Sequence, residues 1–304
     1  MKLLLSILLL IGIAVADDWS RAMEAFLSGD KLQAASLFKK ESQRGNEAAQ
    51  AMLGDMYYEG DILKKDCKKV IKWLKNPASQ GNSKAQLTLA KCYMEQKHFS
   101  DGIYWLKKAS NANRPQAYTI LANIYIYGVG VEKDERKGLE YLELAVKNND
   151  KEATVILALA HAKGILGLKA NPQNAVDLLH STANFDPKAQ YYLGLIYGMQ
   201  LHDAHKGYKW LKKSADNNFA PSQFYLAKVY VQQKEFYKAE KLFLKAAHND
   251  VTPSRCQMLP TILDFLGNSK EKIELVKNLL LEVDKDLKIP LCKQVWDKYK
   301  LAEF

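Results

Sequence analysis

The chain has 304 residues, of which 48% are hydrophobic and 26% charged, enough apolar content for a core and enough charge for a solvated surface, so wholesale disorder is excluded. The formal net charge is +10, but the lysines are spread in pairs with no block of five like charges. Such a spread reads as solvated helix faces, and the lack of a clustered, aromatic-interleaved basic patch argues against a nucleic-acid partner.

The first segment reads as a leader. Lys2 provides a positive start, Leu3 to Val15 form an apolar run, and Ala14-Val15-Ala16 is a small-x-small cleavage site. The run is shorter than the roughly 20 residues that span a bilayer as a helix. No cysteine follows the cleavage site to carry a lipid. Residues 1–16 are therefore expected to be a signal peptide cleaved near Ala16, leaving a chain that starts at Asp17 in the periplasm or medium. No other apolar run has spanning length, so no membrane span is expected.

Beyond the leader the sequence repeats. The blocks EAAQAMLGDMY (47–57), SKAQLTLAKCY (83–93), PQAYTILANIY (115–125), KEATVILALAH (151–161), PKAQYYLGLIY (187–197) and APSQFYLAKVY (220–230) align without gaps. Each has a small residue at place three, Leu at place seven, Gly or Ala at place eight and Tyr or His at place eleven. The leucines stand at 53, 89, 121, 157, 193 and 226. Places three, seven and eleven fall on one stripe of a helix, and a small place eight lets a second helix approach closely.

A second helical segment follows each block and bears an aromatic-Leu pair or its equivalent: Trp73-Leu74, Trp105-Leu106, Tyr141-Leu142, Leu178-Leu179, Trp210-Leu211 and Leu242-Phe243. Endings such as Gly81-Asn82, Asn149-Asp150 and Asn249-Asp250 stop it before the next block. Two short helices cannot bury both apolar faces alone, so the hairpins must stack, with one continuous core. The tryptophans recur at the repeat period and read as core. The fold class expected is all-α, an α/α superhelical solenoid of about seven helix-turn-helix repeats over 17–250. From 251 to 304 the periodicity is lost, and TILDFLGN, KEKIELVKNLLLEVDKDL and PLCKQVWDKYKLAEF read as a helical C-terminal cap with a polar outer face.

Four cysteines in an exported chain are expected to pair, and three connectivities exist. Cys67 lies near the start of one second helix and Cys92 near the end of the next first helix. The chain midway between them turns at Gly81-Asn82, so Cys67–Cys92 is favoured, leaving Cys256–Cys292 to tie the cap. Buried free thiols are the alternative.

Candidate chemistry is weak throughout. Ser36 to Lys39 and Ser269 to Lys272 fit SxxK, but the supporting elements of penicillin-binding serine enzymes are absent and Ser36 reads as a small helix-packing residue. His202 and His205 stand one turn apart as metal ligands would, yet they fall where a loop is expected. His161 occupies an aromatic place of the repeat. Neither a CxxC zinc spacing nor a strand followed by a phosphate-cradling glycine loop occurs. No catalytic residue, metal site or cofactor is read from this sequence.

The stretch LANIYIYGVGVEKDERKGLEYLELA (121–145) closely resembles the Sel-one-like repeat, a relative of the tetratricopeptide repeat. The residues that carry the resemblance are Leu121, Ala122, Tyr125, Gly128, Gly130, Val131, Asp134, Lys137, Tyr141 and Ala145. Its glycines permit a tight turn and Asp134 is placed to cap the second helix. Other units depart from it. Ile62 replaces the second glycine after Gly60, the turn at Gly164, Gly167 and Asn171 is one residue longer, and LHDAHKGYKWL replaces the loop at 187–219. Units 83–114 and 220–250 lack that loop, and AFLSGDKLQAASLFKKESQRGN (25–46) is a divergent, tetratricopeptide-like unit.

The resemblance implies a binding scaffold of the type exported by Gram-negative bacteria, where members of the family serve host interaction or envelope homeostasis. It also implies that the first helices line a concave groove. On that basis Asp55, Lys91, Asn123 and Lys228 at place nine, with Tyr58, Tyr127 and Tyr191, are the candidate partner-binding residues. The mixed polar and aromatic surface suits a protein or peptide partner held by a monomer. A peptidoglycan-associated cell-wall factor is the alternative. A penicillin-binding or β-lactamase-like enzyme, a role linked to a cysteine-rich branch of the family, is a further one, although this chain lacks that branch's regular cysteine pairs.

Overall fold

The computed structural model describes residues 18–112, 114–250, 255–267, 270–283, 289–299 and 301. Among them every regular element is helical and no strand occurs. The chain divides into two compact units, Met1–Ala153 and Thr154–Phe304.

The first unit contains α1 (18–28), α2 (Lys31–Gln43), α3 (Glu47–Glu59), α4 (Cys67–Ser79), α5 (Ser83–Glu95), α6 (Phe99–Asn111), α7 (Pro115–Tyr127) and α8 (Glu135–Lys147). These form four hairpins, and each of α2, α4 and α6 packs on the first helix of the next hairpin. The helix α9 (Lys151–Lys163) begins at the division. The second unit continues with α10 (Pro172–His180), α11 (Pro187–Leu195), a π-turn at Ile196–Gln200, α12 (Ala204–Asp216), α13 (Ala220–Gln232) and α14 (Phe236–Asn249). It ends with α15 (Arg255–Leu266), α16 (Lys270–Val283) and α17 (Pro290–Lys298).

The aligned blocks are the first helices of six of these hairpins. Places three and seven are buried in every one, from Ala49 and Leu53 to Ser222 and Leu226. Place eight sets the interhelix distance. A Cβ built on Gly54 would lie 2.2 Å from Leu74 Cδ2, and one on Gly194 2.5 Å from Leu211 Cγ. Asp134 caps α8 by accepting a hydrogen bond from the Lys137 amide, and Asp66, Asn171 and Asp203 cap α4, α10 and α12 in the same way. Gly130 is fixed twice over, by a φ of +72° and by Phe99, whose Cβ would meet a side chain there at 2.2 Å. At 187–219, which lacks the glycine loop, the first helix instead runs on into the π-turn and the chain reverses at His202 with φ +54°.

The core differs from expectation in two ways. The buried residues fall into four clusters, two in each unit, and Trp105 packs against both clusters of the first. Between the two clusters of the second unit lie Ser214, Ser222 and Gln223, all buried and hydrogen-bonded to one another's helices. The second difference concerns rings. Trp73, Trp105 and Trp210 are half-buried flanks of the core, and of the place-eleven residues only Tyr57 and Tyr125 are buried.

Both proposed pairings of the cysteines are present. Cys67–Cys92 joins the start of α4 to α5, and Cys256–Cys292 joins α15 to α17, with Cα separations of 5.3 and 5.1 Å.

Candidate partner-binding surface

The lysine excess has a local explanation. The residue before the first buried packing position of the second helix is Lys69, Lys137, Lys206 or Lys238 in four hairpins. Each ammonium lies over its own hairpin's place-eleven tyrosine, at 4.8, 4.3, 5.3 and 5.4 Å from the rings of Tyr57, Tyr125, Tyr197 and Tyr230. Tyr197 and Tyr230 stay partly exposed beneath their ammonium groups, whereas Tyr57 and Tyr125 are buried. Lys69, Lys206 and Lys238 also pair with Asp66, Asp203 and Glu235 of their own helix starts.

The candidate groove residues divide by environment. Asp55 is largely covered, paired with Lys84 at 2.7 Å and accepting a hydrogen bond from Thr88 Oγ1 at 3.3 Å. Tyr58 is half-buried, its hydroxyl donating to Glu95 Oε1 at 3.3 Å while Lys65 stands 4.5 Å from its ring centre. Burial, then the Glu95 charge, pushes the Tyr58 phenol above its usual range, and the hydrogen bond to Glu95 raises the Lys65 ammonium. Lys91 is half-buried and Lys228 exposed, and neither has an ion-pair partner among the described residues. Asn123 is half-buried, and Tyr127 is 74% exposed. Tyr191 is half-buried between Tyr192 and Phe219, with ring centres 5.2 and 5.6 Å away, and burial raises its phenol. Of the seven, Asp55, Tyr58, Lys91, Asn123 and Tyr127 belong to the first unit, and Tyr191 and Lys228 to the second.

Asp55 lies in a cavity of about 440 Å³ that crosses the first helices of the first unit. Trp19 and Met23 of α1, Ala48, Ala51 and Met52 of α3, and Asn82, Lys84, Ala85 and Arg114 complete its lining. Arg114 Nε donates to Ser83 Oγ at 2.8 Å. Of these residues Asp55, at place nine, and Ala51, at place five, stand at places read as groove-facing. Trp19 and Arg114 lie outside the aligned blocks, and Met52 occupies place six, which alternates freely among residue types. The second unit has its own cavity of about 480 Å³ beside the π-turn, with Gly194, Gly198, Gly207, Met199, His205 and Tyr225 in its wall.

Among the described residues the chemical motifs acquire no catalytic setting. Ser36 is exposed on α2, with Ala34 and Ala35 taking the packing role expected of it, and Lys39 is exposed too. Ser269 lies outside the described residues. His202 and His205 are both exposed. The one group of three potential metal ligands among the described residues is Cys67, Cys92 and Glu95, and both thiols are engaged in a disulfide.

A more regular feature escaped the sequence reading. Place four is glutamine in four blocks. Gln50, Gln86, Gln190 and Gln223 donate through Nε2 to carbonyls near the end of the preceding second helix, those of Ser42, Ala78, Ala183 and Ala215, at 2.6 to 3.2 Å. Three of them also accept from an asparagine 26 or 27 residues later, namely Asn76, Asn217 and Asn249. The buried Gln86 Oε1 has no partner among the described residues; the residue 26 positions on is Ala112, and Asn113, 27 positions on, lies outside them. Thus each glutamine ties one hairpin's unsatisfied helix end to the next hairpin. The recurrence of Gln in the aligned blocks was the available signal.

Comparison with known proteins finds the Sel1 repeat at residues 47–82, 83–113, 115–150, 151–184 and 187–219, more than half of the chain. The crystal structure of a Sel1 repeat protein from Oxalobacter formigenes is similar with a TM-score of 0.66 and 25% identity, covering 76% of this chain and 100% of that one. A protective antigen present in uropathogenic Escherichia coli strains, displaying an SLR fold, matches with a TM-score of 0.60 and 22% identity over 89% of this chain and 61% of that one, a likeness of fold. An uncharacterized protein of Neisseria meningitidis is 28% identical over 121 residues, which are 40% of this chain but only 26% of that relative. The matched repeats coincide with the hairpins from α3 to α12, and the chain therefore belongs to the Sel1 repeat family, an all-α solenoid fold whose members generally act as scaffolds for protein interactions.

Proposed function

We propose that the chain is an exported, non-catalytic scaffold that holds a protein or peptide partner against the first helices of its repeats. The observation that carries this is the cavity that opens across the first helices of the first unit. Four second-helix lysines, Lys69, Lys137, Lys206 and Lys238, are engaged with tyrosines of their own hairpins. First helices keep Lys91, Lys228 and Tyr127 uncommitted and carry an open cavity beside Asp55. Two disulfides fit an oxidising compartment, and no helix among the described residues is long and apolar enough to cross a membrane. In this scheme residues 1–16 are removed on export, 17–250 form the scaffold and 251–304 its cap, and the protein works as a monomer in the periplasm or medium.

Affinity capture from periplasm and medium, with mass spectrometry, is expected to return a partner that is lost on combined Lys91→Glu and Lys228→Glu substitution. Sedimentation with purified sacculi in place of such a partner would move the assignment to the cell wall. Labelling by a fluorescent penicillin that Ser36→Ala abolishes would move it to an enzyme.

A further inference from the structure

We infer that the first-unit cavity takes a peptide segment in which a carboxylate sits beside a bulky apolar side chain. This rests on the scaffold function proposed above and names its partner's chemistry at one place.

The cavity has two kinds of wall. Trp19, Met23 and Met52 form an apolar side, and methionine's flexible thioether adapts to varied side chains. Asp55, Lys84 and Arg114 form the charged side. Asp55 and Lys84 neutralise one another at 2.7 Å, which leaves Arg114 as the uncompensated charge. Its Nε donates to Ser83 Oγ, so the stem is held, while both terminal nitrogens keep their donors and no acidic side chain among the described residues pairs with them. Arg44, by contrast, is bound by Asp18 and Glu41 of its own unit. A guanidinium held through Nε presents a planar face of donors suited to a carboxylate. The volume of about 440 Å³ lies within the range of pockets that accept small ligands, room enough for one large side chain and an acid. The occupant is therefore an acidic-apolar peptide, and the protein's net charge of +10 favours its approach.

The test is selection of a phage-displayed library of random twelve-residue peptides on the purified full chain, followed by anisotropy titration of the enriched peptides. Enriched sequences are expected to carry Asp or Glu within two residues of Leu, Met, Phe or Trp. Arg114→Glu should weaken them by about tenfold or more, and replacing the peptide's acid by Lys should recover binding to that variant. Arg114→Gln, at a half-exposed position, should weaken binding while leaving the thermal transition in place. Lys241→Glu, exposed on a second helix of the other unit, should leave affinity unchanged. No enrichment, enrichment without an acid, or unchanged affinity on Arg114→Glu would overturn the inference. A dimer in solution that Arg114→Glu dissolves would also overturn it, by making a second copy the occupant. If Arg114→Glu has no effect but Lys91→Glu abolishes binding, the scaffold function survives and this site does not. If both are without effect, the first-helix surface itself is wrong.

Discussion

The repeats and the C-terminal helices are held together by different means. Between α2 and α14 the restraint is distributed. A glutamine at one hairpin, a helix-end carbonyl on the last and an asparagine on its own second helix recur with small variations. From α15 onward no such period exists, and among the described residues two devices add to the shared apolar cluster and the Tyr299–Asp264 hydrogen bond. One is the disulfide Cys256–Cys292. The other is Arg255, with no exposed surface, which donates to the carbonyls of Asp250, His248 and Leu279 and pairs with Glu282 at 2.7 Å. A distributed scheme lets single units drift in sequence, as Ala112 opposite Gln86 illustrates. A concentrated scheme makes a few side chains indispensable.

The largest effect should follow from breaking the concentrated device. Arg255→Ala leaves the carbonyls of His248, Asp250 and Leu279 without their buried donor, at about 1–3 kcal/mol for each unsatisfied group. Limited proteolysis should then cut within α15–α17 while the repeats stay resistant. Uniform loss across both regions would deny the distinction. Next in size, Cys256→Ser with Cys292→Ser should cost about 2–4 kcal/mol. The bridges close stretches of 36 and 25 residues, so chain entropy alone makes their costs differ by only about 0.3 kcal/mol. Thermal denaturation of the two double mutants should nevertheless show the larger loss at Cys256 and Cys292, and equal losses would mean that the cap has other support. Within the repeats, Gln190→Ala leaves the Ala183 carbonyl and Asn217 without their partner and should cost about 1–3 kcal/mol by urea titration. The smallest effect is a gain. Ala112→Asn supplies the donor that Gln86 Oε1 lacks among the described residues and should stabilise by about 0.5–1.5 kcal/mol. A neutral or destabilising result would show that the ladder is not transferable between units.

The hairpins were legible because periodicity reports burial directly. Places three and seven are buried throughout, and the disulfide Cys67–Cys92 followed from the antiparallel turn at Gly81-Asn82. Aromatic places were less legible, since Tyr197 and Trp210 carry hydrophobicity but lie where a lysine must reach a ring. The glutamines were visible in every alignment yet are polar, and polarity alone does not point into a core. Arg255 was hidden for the same reason. The candidate surface was read through place nine, which located Asp55 but not Arg114, because Arg114 precedes its block and reaches the cavity from the edge of the next hairpin. The unbroken core expected of stacked hairpins is instead four clusters, and the rungs at Gln50, Gln86 and Gln190 pass within a cluster without dividing it.

The central claim is that first helices, not second helices, form the working surface. Hydroxyl-radical footprinting of the protein with and without its captured partner tests this most directly. Protection is predicted at Met52, Tyr58 and Tyr127, with Tyr104, Tyr208 and Tyr237 on the second helices unchanged. Protection confined to those second-helix tyrosines, or to none of the six, would contradict it.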